Sequence, residues 1–251
     1  MPKPKRIEEV LQELDAIVQE SIKTNSRHGL FAYVYWRTTL EIASEIAKGN
    51  FEDNQRLEIL DVAFANLYLD AYKAYKNNQK LSASWTFAFE NIDAPLAIIQ
   101  HILLGMNTHI NLDLAVATAS TMSGQPIQDI ENDYNKVNDI LFQITNELQD
   151  RLSRVSPLLF IADLLGKNTD EKLINFSMRK ARKQAWNSAN LLWALEEGNR
   201  KKAIDKIDFV VLQLGKQIKS PKTVILKFVL QFIQIFETKN ISKIISKLKL
   251  D

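Results

Sequence analysis

Apolar residues recur along the chain at intervals of three and four, the spacing that gathers side chains on one face of an α-helix. Ile7, Val10, Leu11, Leu14, Ile17, Val18 and Ile22 make the first stripe. Phe31, Tyr35, Thr38, Ile42 and Ile46 make the second, and Gly49-Asn50 behind it suits a helix stop. A third helix, about 54–75, carries Leu57, Leu60, Phe64, Leu67, Tyr68 and Ala71 on one face before Asn77-Asn78 breaks it. Ser82 or Ser84 is placed to cap a short helix through Phe89, and Asp93-Ala94-Pro95 reads as the cap of the next. From Pro95 to about Met122 apolar residues lie on nearly every side, as in a helix buried all round.

Ser123-Gly124-Gln125-Pro126 closes that central helix, and Ile127–Leu152 follows with a clear amphipathic pattern. A short helix from Ser156-Pro157 to Gly166 comes next, then a long one from a Thr169-Asp170-Glu171 cap to Glu197, with Gly198-Asn199 as its stop. Helices at about 201–219 and 221–237 and a tail helix to Leu250 complete the chain. No segment alternates apolar and polar residues as a strand does, and no repeat of 20–50 residues occurs. The pattern predicts an all-α protein: a single multi-helix bundle over 1–251, built round a buried central helix at about 95–122.

Composition narrows the chemistry. With 7 Gly and 6 Pro in 251 residues, the tight turns of an all-β or doubly wound fold are scarce. The absence of cysteine excludes disulfides, zinc–thiolate and iron–sulfur sites, and a thiol nucleophile. A net charge of +2 gives no general attraction to nucleic acid, and none is expected as a partner. The basic start, Met1 to Arg6, leads into Ile7-Glu8-Glu9 without the apolar core of a signal peptide. The longest apolar run, Val224–Phe236, is interrupted by Lys227, Gln231 and Gln234 and is too short to span a bilayer. A cytoplasmic protein is the expectation. Charge is uneven, however: Arg200–Asp251 holds twelve Lys and Arg against four Asp and Glu. An apolar helix at 224–236 in such a basic setting must be covered by the bundle, by a second copy, or by a membrane surface. The expected partners of 221–250 are therefore a homodimer or a peripheral membrane contact.

Polar residues stand out in the central helix. His101, Gly105, His109 and Asp113 fall four apart and make one oblique stripe, and Asn107 and Asn111 pair on another side. Unpaired buried polar groups cost several kcal/mol, so such groups need partners. One reading is a divalent-metal site of zinc type, with His109 and Asp113 as i, i+4 ligands, His101 as a third and Asp61 from the helix at 54–75 as a fourth. Asp133 and Asp163 are weaker ligands. The competing reading is a hydrogen-bond network that ties helices together through the same residues. His28 reads as a loop ligand or a solvated capping residue. Tyr33, Tyr35, Trp36, Tyr68, Tyr72, Trp85, Phe87 and Phe89 either line a pocket beside the stripe or fill core. Arg179, Arg182 and Trp186 share a helix face suited to phosphate or cation–π contact, or simply to solvent.

The run Gly105-Met-Asn-Thr-His-Ile-Asn-Leu-Asp-Leu114 resembles the GMNxHINxDL signature of an uncharacterised bacterial domain-of-unknown-function family, family 5995. Phe31-Ala-Tyr-Val-Tyr35 with Thr38, Leu60–Tyr68 and Asp133–Asn138 are similar to it too, so the resemblance spans about 27–200. It implies an all-helical domain and no established activity. The polar positions it marks are Asp61, Asn66, Asn107, His109, Asn111, Asp113, Asp133 and Asn138. A weaker likeness, in the His109xxxAsp113 pair with Asp61, is to the zinc-dependent phospholipase C and P1 nuclease class, which holds its metals with helical His/Asp pairs. Three histidines are too few for a three-metal centre of that kind.

Two functions follow as expectations. In the first, a divalent ion on His109, Asp113 and Asp61, with His101, activates water for hydrolysis of a phosphoester-like bond. In the second, the protein is a non-enzymatic binding or scaffold protein, with Asn66, Asn107, Asn111, Asp133 and Asn138 in a polar network or lining a substrate site.

Overall fold

A computed structural model describes residues 3–156, 158 and 178–249. Among them the chain is helical with no strand, as the apolar spacing requires. In order the helices are α1 (Ile7–Thr24), α2 (His28–Ala47), α3 (Asn54–Lys76), α4 (Ala83–Glu90), α5 (Ile98–Thr108) and α6 (Leu114–Thr121). They continue as α7 (Glu131–Val155), α8 (Met178–Ala194), α9 (Glu197–Lys219), α10 (Val224–Phe236) and α11 (Ile241–Lys249). A π-helical turn, His109–Asp113, joins α5 to α6, and a 3-10 turn, Ile127–Ile130, leads into α7. No described helix is long and apolar enough to cross a membrane.

The helix stops follow local chemistry. Asn25, Gly49, Asn78 and Gly124 adopt left-handed backbone conformations at helix ends. Ser82 caps α4 by accepting from the Trp85 N–H at 3.3 Å. Two boundaries differ from expectation. Helix α5 begins at Ile98, past Asp93-Ala94-Pro95, because its free N–H groups are met by side chains. Glu237 Oε2 accepts from the Ile98 N–H at 2.8 Å, and Gln100 Oε1 from the Ala97 N–H at 3.1 Å. The break between α8 and α9 falls at 195–196, and Gly198 sits inside the first turn of α9. The expected helix ending at Gly166, the Thr169-Asp170-Glu171 cap and Asp163 lie outside the described residues.

The central element runs from α5 through the π turn to α6, and it is buried on most sides, with Ile102, Leu104, Leu114 and Ala115 shut off from solvent. Through α5 it packs on α2 and α9, and through α6 on α3 and α8. Gly105 admits α2 here: a Cβ at that position would lie 2.5 Å from the Phe31 ring. Helix α1 covers α2 and α3, while α4 lies against α9. The tail helix α11 is integral to the core. Ile241, Ile244, Ile245 and Leu248 are buried against α1, α2 and α7, and Tyr33 Oη donates to the Leu248 carbonyl at 2.7 Å. Helix α10 is the exception: Leu230 and Ile233 are buried and Leu226 and Val229 pack partly against the core, while its other large apolar side chains are exposed.

Candidate functional site

The π turn does the positioning. One extra residue makes Leu114 N–H bond back to His109 O, five residues earlier, which re-aims the helix face between α5 and α6. His109 and Asp113 remain neighbours across it, with Nδ1 and Oδ2 2.9 Å apart. From α4, Trp85 Nε1–H donates to the same Asp113 oxygen at 3.0 Å. From α3, Phe64 stacks on the His109 ring at 3.7 Å and 7°, while Tyr35 of α2 meets it edge-on at 4.5 Å. The imidazole is therefore packed between aromatic rings, and its far nitrogen, Nε2, is buried without a hydrogen-bond partner.

Burial acts the same way on both members of the pair. It drives the His109 imidazole well below its usual range and the Asp113 carboxyl well above, although the Trp85 bond pulls the carboxyl back. Both shifts favour the uncharged forms of the two groups, and the tautomer of the imidazole sets whether its unpartnered Nε2 donates or accepts.

His109 forms part of the wall of a cavity of about 750 Å³, counting its open mouth. Phe31, Leu57, Phe64, Met106, Ile110 and Val137 make most of that wall apolar. Polar groups reach it at few places. Asp61, one turn from Phe64 on α3, lines it with Oδ2 buried and unpartnered. Burial pushes the Asp61 carboxyl up to about 7, with the Arg182 guanidinium pulling the other way. Arg182, on α8, lines the same cavity and lies over the Tyr134 ring at 4.5 Å. Its Nε donates to Asn138 Oδ1 and its Nη2 to the Tyr134 carbonyl. Arg182 is 5% exposed rather than on a solvated face, because Tyr134 and Asn138 supply partners that its own helix does not show.

This arrangement separates the expected ligands. Asp61 and His109 share the cavity, Asp113 stands behind His109, and His101 is elsewhere. His101 lies beside Arg27 and His28, and burial lowers it to about 4. His28 is itself buried at the start of α2, edge-on to Tyr72, Tyr75 and Phe89, not solvated in a loop. Among the described residues no three His, Asp or Glu side chains come together as a metal-holding set. The asparagines disperse as well. Asn107 donates to the Val211 carbonyl of α9, Asn111 to Asn107, and Asn66 to the Pro4 carbonyl. Asp133 accepts from the Glu52 and Asp53 N–H groups ahead of α3, an anchoring role. Trp85 stood in the sequence only as one aromatic among eight; nothing in local spacing ties it to Asp113.

A family model covers residues 7–221, including every helix that builds the cavity. The chain belongs to the family of unknown function DUF5995. Family membership thus takes in Asp61, His109 and Asp113, and it brings no activity with it. The last two helices, α10 and α11, lie past the matched segment. No curated protein and no solved structure is detectably similar to this DUF5995 member.

Proposed function

We propose that the protein binds a small, mostly apolar molecule in the Asp61–His109 cavity and meets one oxygen on it with the His109 Nε2–H. Two buried, unpartnered polar groups, Asp61 Oδ2 and His109 Nε2, on a mostly apolar wall that Arg182 also reaches carry this reading. Each costs about 1–3 kcal/mol while unsatisfied, a cost that a ligand oxygen would remove. The pair also suits proton transfer next to a carbonyl. His109 Nε2–H would donate to the oxygen as negative charge develops on it, and the Asp61 carboxylate would accept the proton from the neighbouring carbon. Fluorine NMR against a panel of small fluorinated aromatic and alicyclic ketones tests binding directly. Line broadening in the wild type, absent in Val137→Trp, which fills the cavity, is the expected result. A panel in which nothing binds overturns the reading.

A divalent-metal hydrolase is the second reading, favoured by one feature: a histidine backed by a carboxylate is a familiar metal-ligand arrangement once Nε2 loses its proton. Asp61 is the other free donor at the cavity wall. Asp113 would then orient the ligand rather than bind the ion. Elemental analysis of tag-free protein separates the two readings. A stoichiometric divalent ion, lost in His109→Ala with the fold intact, supports the hydrolase; only traces of metal remove it.

A further inference from the structure

Helix α10 presents large apolar side chains to the outside along most of its length. Ile235 is 68% exposed, Phe228 67%, Val224 65%, Ile225 62%, Phe236 60% and Phe232 48%. The helix is not a loose tail. Glu237 at its end accepts from the Ile98 N–H, and α11 just beyond is sunk in the core. The fold therefore holds α10 with its greasy side outward. A contiguous apolar surface of this kind marks a contact site rather than ordinary exposure.

Charge identifies the partner. From Lys216 to Lys249 the chain carries eight lysines and a single acid, Glu237. That acid is buried on the Ile98 N–H, so it neutralises none of the exposed lysines. Lys219, Lys222, Lys227 and Lys239 are exposed before, within and after α10. An apolar helical face flanked by lysines is the pattern of a helix lying in the interface of an anionic bilayer. A second copy fits poorly, because a twofold contact on α10 would bring two sets of Lys222 and Lys227 together with no exposed acid in 216–249 to pair them. We infer that α10 docks the protein on an anionic lipid surface, with Phe228, Phe232 and Ile235 among the acyl chains and the lysines at lipid phosphates. This inference is independent of what occupies the cavity, and it concerns a helix beyond the segment that DUF5995 covers.

Co-sedimentation of the full chain with phosphatidylcholine vesicles, with and without phosphatidylglycerol, tests it. Binding is expected on the anionic vesicles at low ionic strength, with weakening as salt screens the lysines. Phe228→Trp should shift its emission to the blue on those vesicles. Phe228→Ser with Phe232→Ser should abolish binding, and Lys222→Gln with Lys227→Gln should weaken it about tenfold or more. These side chains are exposed, so helical circular dichroism should be retained in all three. No binding at low salt, or equal binding to neutral vesicles, overturns the proposal. A dimer in analytical ultracentrifugation that the double serine variant dissociates overturns it as well, in favour of a second copy.

Discussion

Asp61 carries the clearest consequence at the scale of single residues. Burial without a partner pushes its carboxyl from the usual 3.8 up to about 7. Between about pH 4 and 7 the folded protein keeps a proton that the unfolded chain has released. Stability attributable to Asp61 is therefore present at low pH and lost as pH rises through 7. Asp61→Asn, similar in shape and unable to ionise, should be the more stable protein above pH 7. The gap should be on the order of 4 kcal/mol and close toward pH 4. His28 and His101, both lowered to about 4 by burial, act oppositely and lose stability as pH falls below 6.5. They are common to both proteins, so the difference between urea midpoints isolates Asp61. A gap that stays constant with pH would show that Asp61 is not the titrating group. In the sequence, Asp61 was legible as a carboxylate among Leu57, Leu60 and Phe64, and its lack of a partner was not.

At the scale of elements, two remote carboxylates satisfy helix starts. Asp208 of α9 accepts from the Ala83 and Ser84 N–H groups and from Ser84 Oγ at the head of α4. Asp133 of α7 does the same work for the loop before α3. Free N–H groups at a helix start carry partial positive charge, so carboxylates are favoured there. Asp208→Ala should lower stability by about 1–2 kcal/mol in chemical denaturation, while Asp205→Ala, on an exposed stretch of the same helix, should change little. Asp133 had read as a weak metal ligand because sequence shows a charge and not the backbone it faces. The π turn was equally invisible: His109 and Asp113 are four apart in α and π geometry alike, and nothing in their spacing records the extra residue.

For the molecule as a whole, α11 closes the bundle although it lies past the family segment. Ile244 is 1% exposed in the core shared with α1, α2 and α7. Ile244→Ala should cost about 2–4 kcal/mol and leave one cooperative transition, read alike by circular dichroism and tryptophan fluorescence. Two separated transitions would mean that the C-terminal helices fold apart from the rest. Helix α10 shows the limit of pattern at this scale. A helix apolar on most of its circumference needs cover from the bundle, a second copy or a membrane surface, and here the fold fixes it with six large side chains outward.

The sequence by itself determined the helices of the described residues, most of their stops, and the meeting of His109 with Asp113, because spacing, left-handed residues and i, i+4 neighbours are local properties of the chain. Tertiary structure alone decided that Asp61 shares a cavity with His109, that His101 does not, that Trp85 bonds Asp113, and that Arg182 is buried. Each of these depends on which helix faces meet across the bundle. That choice is made by packing among residues far apart in the chain, and no local pattern records it.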